Sequence, residues 1–206
     1  MVNIGVLISG NGTNLQAIID GIKEGKIAGE IKLVISNRKD AYGLVRCQKE
    51  NIEGLFIDPK AYDDISYNRR LIEEFKKRHV ELIVLAGYMK ILSKEFVKAY
   101  ENRIINIHPS LIPSFSGKGY YGERVHRAVL DYGVKYTGAT VHFVNEEADR
   151  GPIILQEVVP VDEEDTVETL SKKVLKVEHK ILVEAVSLFC KGKLTVEGRK
   201  VKIDKE

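Results

Sequence analysis

Short runs rich in β-branched residues alternate with longer amphipathic segments along most of this 206-residue sequence. This alternation is typical of consecutive βαβ units, in which parallel strands are buried between helices. The predicted strands are Ile4–Ser9, Ile31–Ser36, Gly54–Ile57, Leu82–Leu85, Ile104–Ile107, Thr137–Val144 and Ile153–Val159. We therefore expect an α/β fold with three layers, in which a mostly parallel, twisted sheet carries helices on both faces.

The segments between these strands carry apolar residues at spacings of three and four, which is the period of a helix packed on one side. The predicted helices are Asn14–Lys23, Ala41–Glu50, Ile65–Arg78, Lys94–Ala99, Glu123–Tyr132 and a long last helix that ends near Cys190. Either Asp165 or Thr166 can cap the last helix. Residues 194–203 have the pattern of a small hairpin, and we expect residues 1–206 to form a single domain.

The charge and the cysteine content exclude several classes of protein. A net charge of +2 is too small to indicate a nucleic-acid partner, although it suits small anionic ligands. No apolar run is long enough to span a membrane, so we expect no membrane partner. The two cysteines form no disulfide or metal-binding pattern and the five histidines lack metal-ligand spacing, so we expect no metal and a cytoplasmic location.

The first strand runs into a glycine-rich turn, Ser9–Asn14, which opens the first helix. Backbone N–H groups and the helix dipole converge there, and this favours an anion such as phosphate. A dinucleotide fingerprint would require glycine at Leu15 and an acid near Asn37, and the Gly-Lys-Ser/Thr of a P-loop is absent. Because a tight turn needs glycine in any case, the turn alone does not decide between a binding site and a structural role.

Asn106 and His108 close an apolar strand and share one face of it, because side chains in a strand alternate with period two. An amide can donate to a developing oxyanion and an imidazole can move protons, so the pair fits acyl transfer. Asp149 follows a later strand, and its carboxylate could orient His108. Each residue also has a structural interpretation, as a turn former or a hydrogen-bonded side chain, and His142 is expected to be a core or supporting residue.

Four motifs occur in one order, namely Ile8–Asn14, Leu85–Leu92, Asn106–Pro113 and Val141–Ile154. Together they closely resemble phosphoribosylglycinamide formyltransferases, and the likeness runs from Met1 to about Cys190. The resemblance implies a Rossmann-like formyltransferase fold. It also implies transfer of a formyl group from 10-formyltetrahydrofolate, as cosubstrate, to the amine of glycinamide ribonucleotide in de novo purine biosynthesis. The partners would be these small molecules, and the enzyme would be a monomer or a homodimer.

The same resemblance assigns roles to individual positions. It implies that Asn106, His108 and Asp149 are catalytic. The residues implied for the ribonucleotide and its phosphate are Gly12, Thr13, Asn14, Lys176 and Glu178, with Glu178 closer to the ribose. The residues implied for folate binding are Met89, Lys90, Ile91, Leu92, Asn145, Glu146, Glu147 and Ala148.

Two features depart from the family pattern or leave alternatives open. Several relatives carry a basic residue for the folate where this chain reads Asp63–Ser66, and the nearest arginines are Arg69 and Arg70. Gly117–Gly122 is either simple turn punctuation or a flap over the site. The alternatives to the transferase are a 10-formyltetrahydrofolate hydrolase and a non-catalytic module that binds folate or nucleotide.

Overall fold

The computed structural model describes residues 1–204 and contains the predicted alternation of strands and helices. The strands are β1 Val2–Ile8, β2 Gly29–Ser36, β3 Gly54–Phe56, β4 Leu82–Leu85, β5 Ile104–His108, β6 Tyr136–Phe143, β7 Ile153–Pro160, β8 Leu194–Glu197 and β9 Lys200–Ile203. The helices are α1 Thr13–Lys23, α2 Tyr42–Lys49, α3 Asp64–Lys77, α4 Lys94–Ala99, α5 Glu123–Tyr132 and α6 Val167–Cys190, and a 3-10 turn covers Pro59–Ala61.

The ends of the helices follow local capping chemistry. Thr166, one of the two predicted caps, begins α6: its hydroxyl accepts a hydrogen bond from the Thr169 N–H, while the Thr169 hydroxyl accepts one from the Thr166 N–H. Asp63 and Ser93 cap α3 and α4 in the same way, with side-chain oxygens that accept from backbone N–H groups three residues ahead.

The strands form one sheet in the order β3-β2-β1-β4-β5-β6-β7-β9-β8. Strands β1 to β5 are mutually parallel, whereas β6 runs antiparallel to both β5 and β7. Strands β8 and β9 form an antiparallel hairpin within residues 194–203, and β9 pairs with the edge of β7. The expected mostly parallel α/β sheet is confirmed.

Two hydrophobic clusters cover the two faces of the sheet. The larger joins the sheet to α1, α2, α5 and α6, and includes Ile18, Val129 and Leu182. The smaller joins the opposite face to α3 and α4 through Phe75 and Phe96. Strands buried on both sides explain why their sequences are nearly continuous apolar runs. Within residues 1–204, no helix is long and apolar enough to cross a membrane.

The chain order places polar residues at one edge of this sheet. It proceeds outward from β1 to β3 and then returns to β4 on the other side of β1, so the order of the strands reverses between β1 and β4. Ligands of open α/β sheets bind outside the carboxyl ends of the strands at such a point. The segment after β1, the segment after β4 and the end of β5 all lie there, which positions the candidate site.

Candidate active site

A main cavity of about 510 Å³ opens at this edge of the sheet. Asn106 and His108 line it from the end of β5, and Asp149 lines it from the loop between β6 and β7. The cavity therefore brings together the three side chains that the sequence proposed as catalytic.

The carboxylate of Asp149 faces the ring of His108. Asp149 Oδ2 lies 3.5 Å from His108 Nδ1, and both side chains are largely buried. The other ring nitrogen, Nε2, lies 2.9 Å from the carbonyl oxygen of Phe115. Because a carbonyl only accepts, Nε2 carries a hydrogen, and Nδ1 is the basic atom of the neutral ring. Any proton that His108 gains is therefore held at Nδ1, beside the carboxylate.

His142, for which the sequence predicts a core or supporting role, contacts the side chain of Asn106. The two residues are register partners on neighbouring strands, and Asn106 Nδ2 lies 3.2 Å from His142 Nε2. His142 Nδ1 lies 2.8 Å from the Phe143 carbonyl and therefore carries the hydrogen, which leaves Nε2 as an acceptor. The amide nitrogen of Asn106 is thus fixed toward His142, and its second hydrogen remains available for a ligand.

Burial lowers the pKa of His108 below its usual value, and the carboxylate of Asp149 opposes this only in part. Desolvation of the buried ring is therefore the larger of these two effects. Burial also acts to raise the pKa of Asp149, but opposing interactions, among them the hydrogen bond from the Gly117 N–H, hold it below its usual value. The free protein thus favours a carboxylate beside a neutral imidazole.

The glycine-rich loop is joined directly to the acid. The Gly117 N–H donates to Asp149 Oδ2 at 2.9 Å, and residues 117–122 line the main cavity. Asp149 itself has a φ of 55°, an uncommon conformation for a residue other than glycine. Gly151 allows the turn that follows, because a Cβ at this position would lie 1.7 Å from the Phe143 carbonyl oxygen.

The turn after β1 leads into α1, whose first turn reaches the main cavity. Gly12, with a φ of 72°, precedes α1, and a Cβ there would lie 2.8 Å from the Cα of Gly43. Asn14 lines the main cavity, and its Nδ2 donates to Glu178 Oε2 at 3.2 Å. Burial raises the pKa of Glu178 to about 7. A carboxyl that ionises near neutrality suits hydrogen bonds to hydroxyl groups better than contact with phosphate.

Two residues predicted for the phosphate do not line this cavity with their side chains. Thr13 instead lines an outer groove of about 770 Å³ between α1 and α6, so only its backbone can serve the site. Lys176 is exposed and lines neither space. Each helix residue is rotated by about 100° from the one before it, so residues two apart lie on nearly opposite sides of the helix. Lys176 is two residues from the inward-facing Glu178 and therefore points outward. The structure therefore does not bring Lys176 into either space, and its contact with the phosphate stays a prediction.

A side cavity of about 120 Å³ adjoins the main one and shares Asn106 and Asp149 with it. Of the residues predicted for folate, seven line the side cavity, namely Lys90, Ile91, Leu92, Asn145, Glu146, Glu147 and Ala148. Met89 lines the main cavity, and its N–H donates to Ser9 Oγ at 2.8 Å. Two ligands, one in each cavity, would meet at Asn106 and Asp149.

The acidic segment at the start of α3 interacts with this folate wall. Lys90 Nζ lies 2.7 Å from Asp64 Oδ1, so Asp64 holds the basic residue of the folate wall. Arg69 and Arg70, the nearest arginines, pair with Glu95 and Glu74. Among residues 1–204, no group of three or more His, Cys, Asp or Glu side chains is arranged to hold a metal ion.

Known proteins resemble this chain over nearly its whole length. The formyl transferase family profile matches residues 2–186. A phosphoribosylglycinamide formyltransferase from Escherichia coli is 42% identical, with 98% of this chain and 94% of that protein covered. A chloroplastic phosphoribosylglycinamide formyltransferase from Arabidopsis thaliana is 41% identical over 93% of this chain, which spans 66% of that protein's length. The crystal structure of glycinamide ribonucleotide transformylase 1 from Symbiobacterium toebii superposes with a TM-score of 0.94 and 50% identity, covering 98% of this chain and 94% of that one.

Proposed function

The chain belongs to the formyl transferase family, and we propose that it transfers the formyl group of 10-formyltetrahydrofolate to the amine of glycinamide ribonucleotide. The products are formylglycinamide ribonucleotide and tetrahydrofolate. The activity is that of a phosphoribosylglycinamide formyltransferase, an enzyme of purine biosynthesis. The observation that carries the catalytic assignment is the convergence of Asn106, His108 and Asp149 in the main cavity, where Asn106 and Asp149 also border the side cavity.

The two substrates occupy the two cavities in this proposal. The ribonucleotide lies in the main cavity, with its phosphate on the backbone N–H groups at the start of α1 and its ribose near Glu178. The pterin end of the folate lies in the side cavity, against residues 90–92 and 145–148. This arrangement holds the amine and the formyl carbon together, and such positioning is itself a large part of catalysis.

The first chemical step forms a bond between the amine nitrogen and the formyl carbon, and the carbonyl oxygen becomes an oxyanion. The free amide hydrogen of Asn106 stabilises that oxygen, because His142 already fixes the direction of the amide group. Removing one such donor typically costs about 100- to 1,000-fold in turnover.

The second step breaks the bond between the formyl carbon and the folate nitrogen. The attacking nitrogen loses a proton and the departing nitrogen gains one, so the step is balanced. His108 receives the proton of the attacking nitrogen at Nδ1, where the Asp149 carboxylate 3.5 Å away stabilises the imidazolium that forms. His108 then gives this proton to the departing folate nitrogen and returns to its neutral form. A ring that is neutral in the free protein is ready to accept this proton.

The remaining assignments belong to the same proposal. Residues 1–206 act as one formyltransferase domain in the cytoplasm, as a monomer or a homodimer, and Lys90 is the basic residue nearest the folate tail. Subcellular fractionation and sedimentation of the purified protein test the location and the oligomeric state. A signal at the membrane or a larger assembly would contradict them.

Loss of formyl groups from 10-formyltetrahydrofolate, with and without glycinamide ribonucleotide, tests the reaction itself. We expect loss only when the ribonucleotide is present, with one formylglycinamide ribonucleotide formed for each tetrahydrofolate. Formyl loss without the amine would identify a hydrolase. No loss under either condition would identify a binding module, and either result would refute the transferase.

A further inference from the structure

His126 is a buried imidazole in the main cavity to which the proposed reaction assigns no role. It belongs to α5 and is only 3% exposed, between the core residues Val125 and Val129 of the same helix. Unlike those neighbours it also lines the main cavity, together with Asn106 and His108. A polar ring at such a position needs a partner, because an unpaired buried polar group costs free energy.

One ring nitrogen of His126 is buried and has no hydrogen-bond partner among residues 1–204. Within residues 1–204, His126 Nδ1 is fully buried and makes no hydrogen bond. A hydrogen on Nδ1 would therefore be orphaned, so the neutral ring carries its hydrogen on Nε2. Burial lowers the pKa of His126, with Glu123 opposing and His108 adding to the effect, which favours that neutral ring. Nε2–H is thus the donor that His126 can offer to a ligand.

The neighbours of His126 indicate which ligand group receives this hydrogen bond. Ser171 and Glu178 line the same cavity from α6, and they are seven residues apart, so they lie on one side of that helix. Asn14 adds its amide beside Glu178. A hydroxyl, a carboxyl and an imidazole donor that line one cavity are suited to several sugar hydroxyl groups.

We propose that His126 is a binding residue for the ribonucleotide, whose Nε2–H donates a hydrogen bond to a ribose oxygen, with Ser171 completing the same wall. This inference rests on the proposed function and specifies how the site recognises the sugar. It predicts that His126 determines affinity for ligands that contain ribose, and that it affects neither the folate nor the formyl transfer step.

Steady-state kinetics of His126→Leu test the proposal, with His126→Gln and His126→Asn as probes of the atom. We expect the KM for glycinamide ribonucleotide to rise about tenfold in His126→Leu, as for one lost hydrogen bond, while kcat changes less than about threefold. His126→Gln, whose amide nitrogen can reach the Nε2 position, should restore the KM. His126→Asn, which reproduces only the Nδ1 position, should not. Asp131→Asn, at an exposed position of α5 that lines none of these cavities, is the matched control.

Inhibition by ribose 5-phosphate and by inorganic phosphate identifies the group that His126 contacts. Weaker inhibition by ribose 5-phosphate alone, by about tenfold in His126→Leu, would support a ribose contact. Three results would overturn the ribose contact: inhibition by inorganic phosphate that weakens equally, a KM for folate that rises equally, or a KM for the ribonucleotide that does not change. If His126→Leu does not fold, Ser171→Ala provides the same comparison with an expected rise of about threefold in the ribonucleotide KM.

The wild-type reaction separates this inference from the function on which it depends. If the wild-type protein transfers no formyl group, the proposed function is refuted, and the His126 proposal falls with it. If the wild-type protein is active and His126→Leu has the same kinetic constants, only the ribose contact is refuted.

Discussion

Glu178→Gln should stabilise the protein in a way that depends on pH. The pKa of Glu178 is raised from 4.5 to about 7 by burial, while the Asn14 amide opposes the effect only in part. Between these two pKa values the folded protein binds a proton that the unfolded chain has lost. The free energy of unfolding therefore falls as pH rises through this range, and becomes independent of this group above about pH 7.

The size of the effect follows from the same values. At 1.36 kcal/mol for each pKa unit, the change from 4.5 to about 7 corresponds to about 3 kcal/mol of lost stability at alkaline pH. Glutamine has the shape of the protonated carboxyl, and its carbonyl can still accept from Asn14. The variant should gain about 1 kcal/mol over the wild type near pH 5 and about 3 kcal/mol near pH 8.5.

Urea denaturation of both proteins at these two pH values measures the difference. The quantity of interest is the difference in free energy of unfolding between variant and wild type, compared at the two pH values. Effects of the substitution that do not depend on pH, and contributions of other groups, cancel in this comparison. Glu184→Gln, at an exposed position of the same helix, should change stability by less than about 0.5 kcal/mol at either pH. An advantage of Glu178→Gln that does not grow with pH would refute the reasoning.

Three further predictions concern other parts of the site. Gly151→Ala should lower the free energy of unfolding by about 3 kcal/mol in denaturant, because its Cβ would lie 1.7 Å from the Phe143 carbonyl oxygen. Gly10→Ala, which has open space around it, should lower it by about 1 kcal/mol or less, and equal losses would contradict the steric argument. Asp149→Asn should lower the pKa of His108 further in an NMR titration, because the imidazolium loses its counter-charge, and a rise would disprove the pairing. Lys176→Ala should leave the KM for glycinamide ribonucleotide unchanged, and a tenfold rise would restore Lys176 to the site.

The regular part of the fold was predictable because each element has its own local signal. The helices at Lys94–Ala99 and Glu123–Tyr132 and the strand Leu82–Leu85 have the predicted bounds, since apolar periodicity and flanking cap residues fix where they begin and end. The antiparallel direction of β6 and β7 carries no such signal. It depends on which strands become neighbours in the sheet, and that is a property of the whole chain.

The site was predictable where a strand end displays its residues and unpredictable where partners come from distant segments. Alternation along β5 places Asn106 and His108 on one face, as expected. The sequence predicts a core or supporting role for His142, but its contact with Asn106 could not be predicted, because it depends on the register of two strands 36 residues apart. Lys176, which the resemblance assigned to the phosphate, lines neither cavity, because a spacing of two from Glu178 does not give a shared helix face.

The most direct test of the proposed chemistry is single-turnover formyl transfer by His108→Ala, with ribonucleotide binding measured by calorimetry on the same protein. His108 contacts the reacting atoms in this account, while the ribose and phosphate contacts lie elsewhere in the main cavity. We predict that transfer slows by at least about 100-fold while the affinity for glycinamide ribonucleotide stays within about threefold of wild type. Transfer at a rate near that of the wild type would contradict the account.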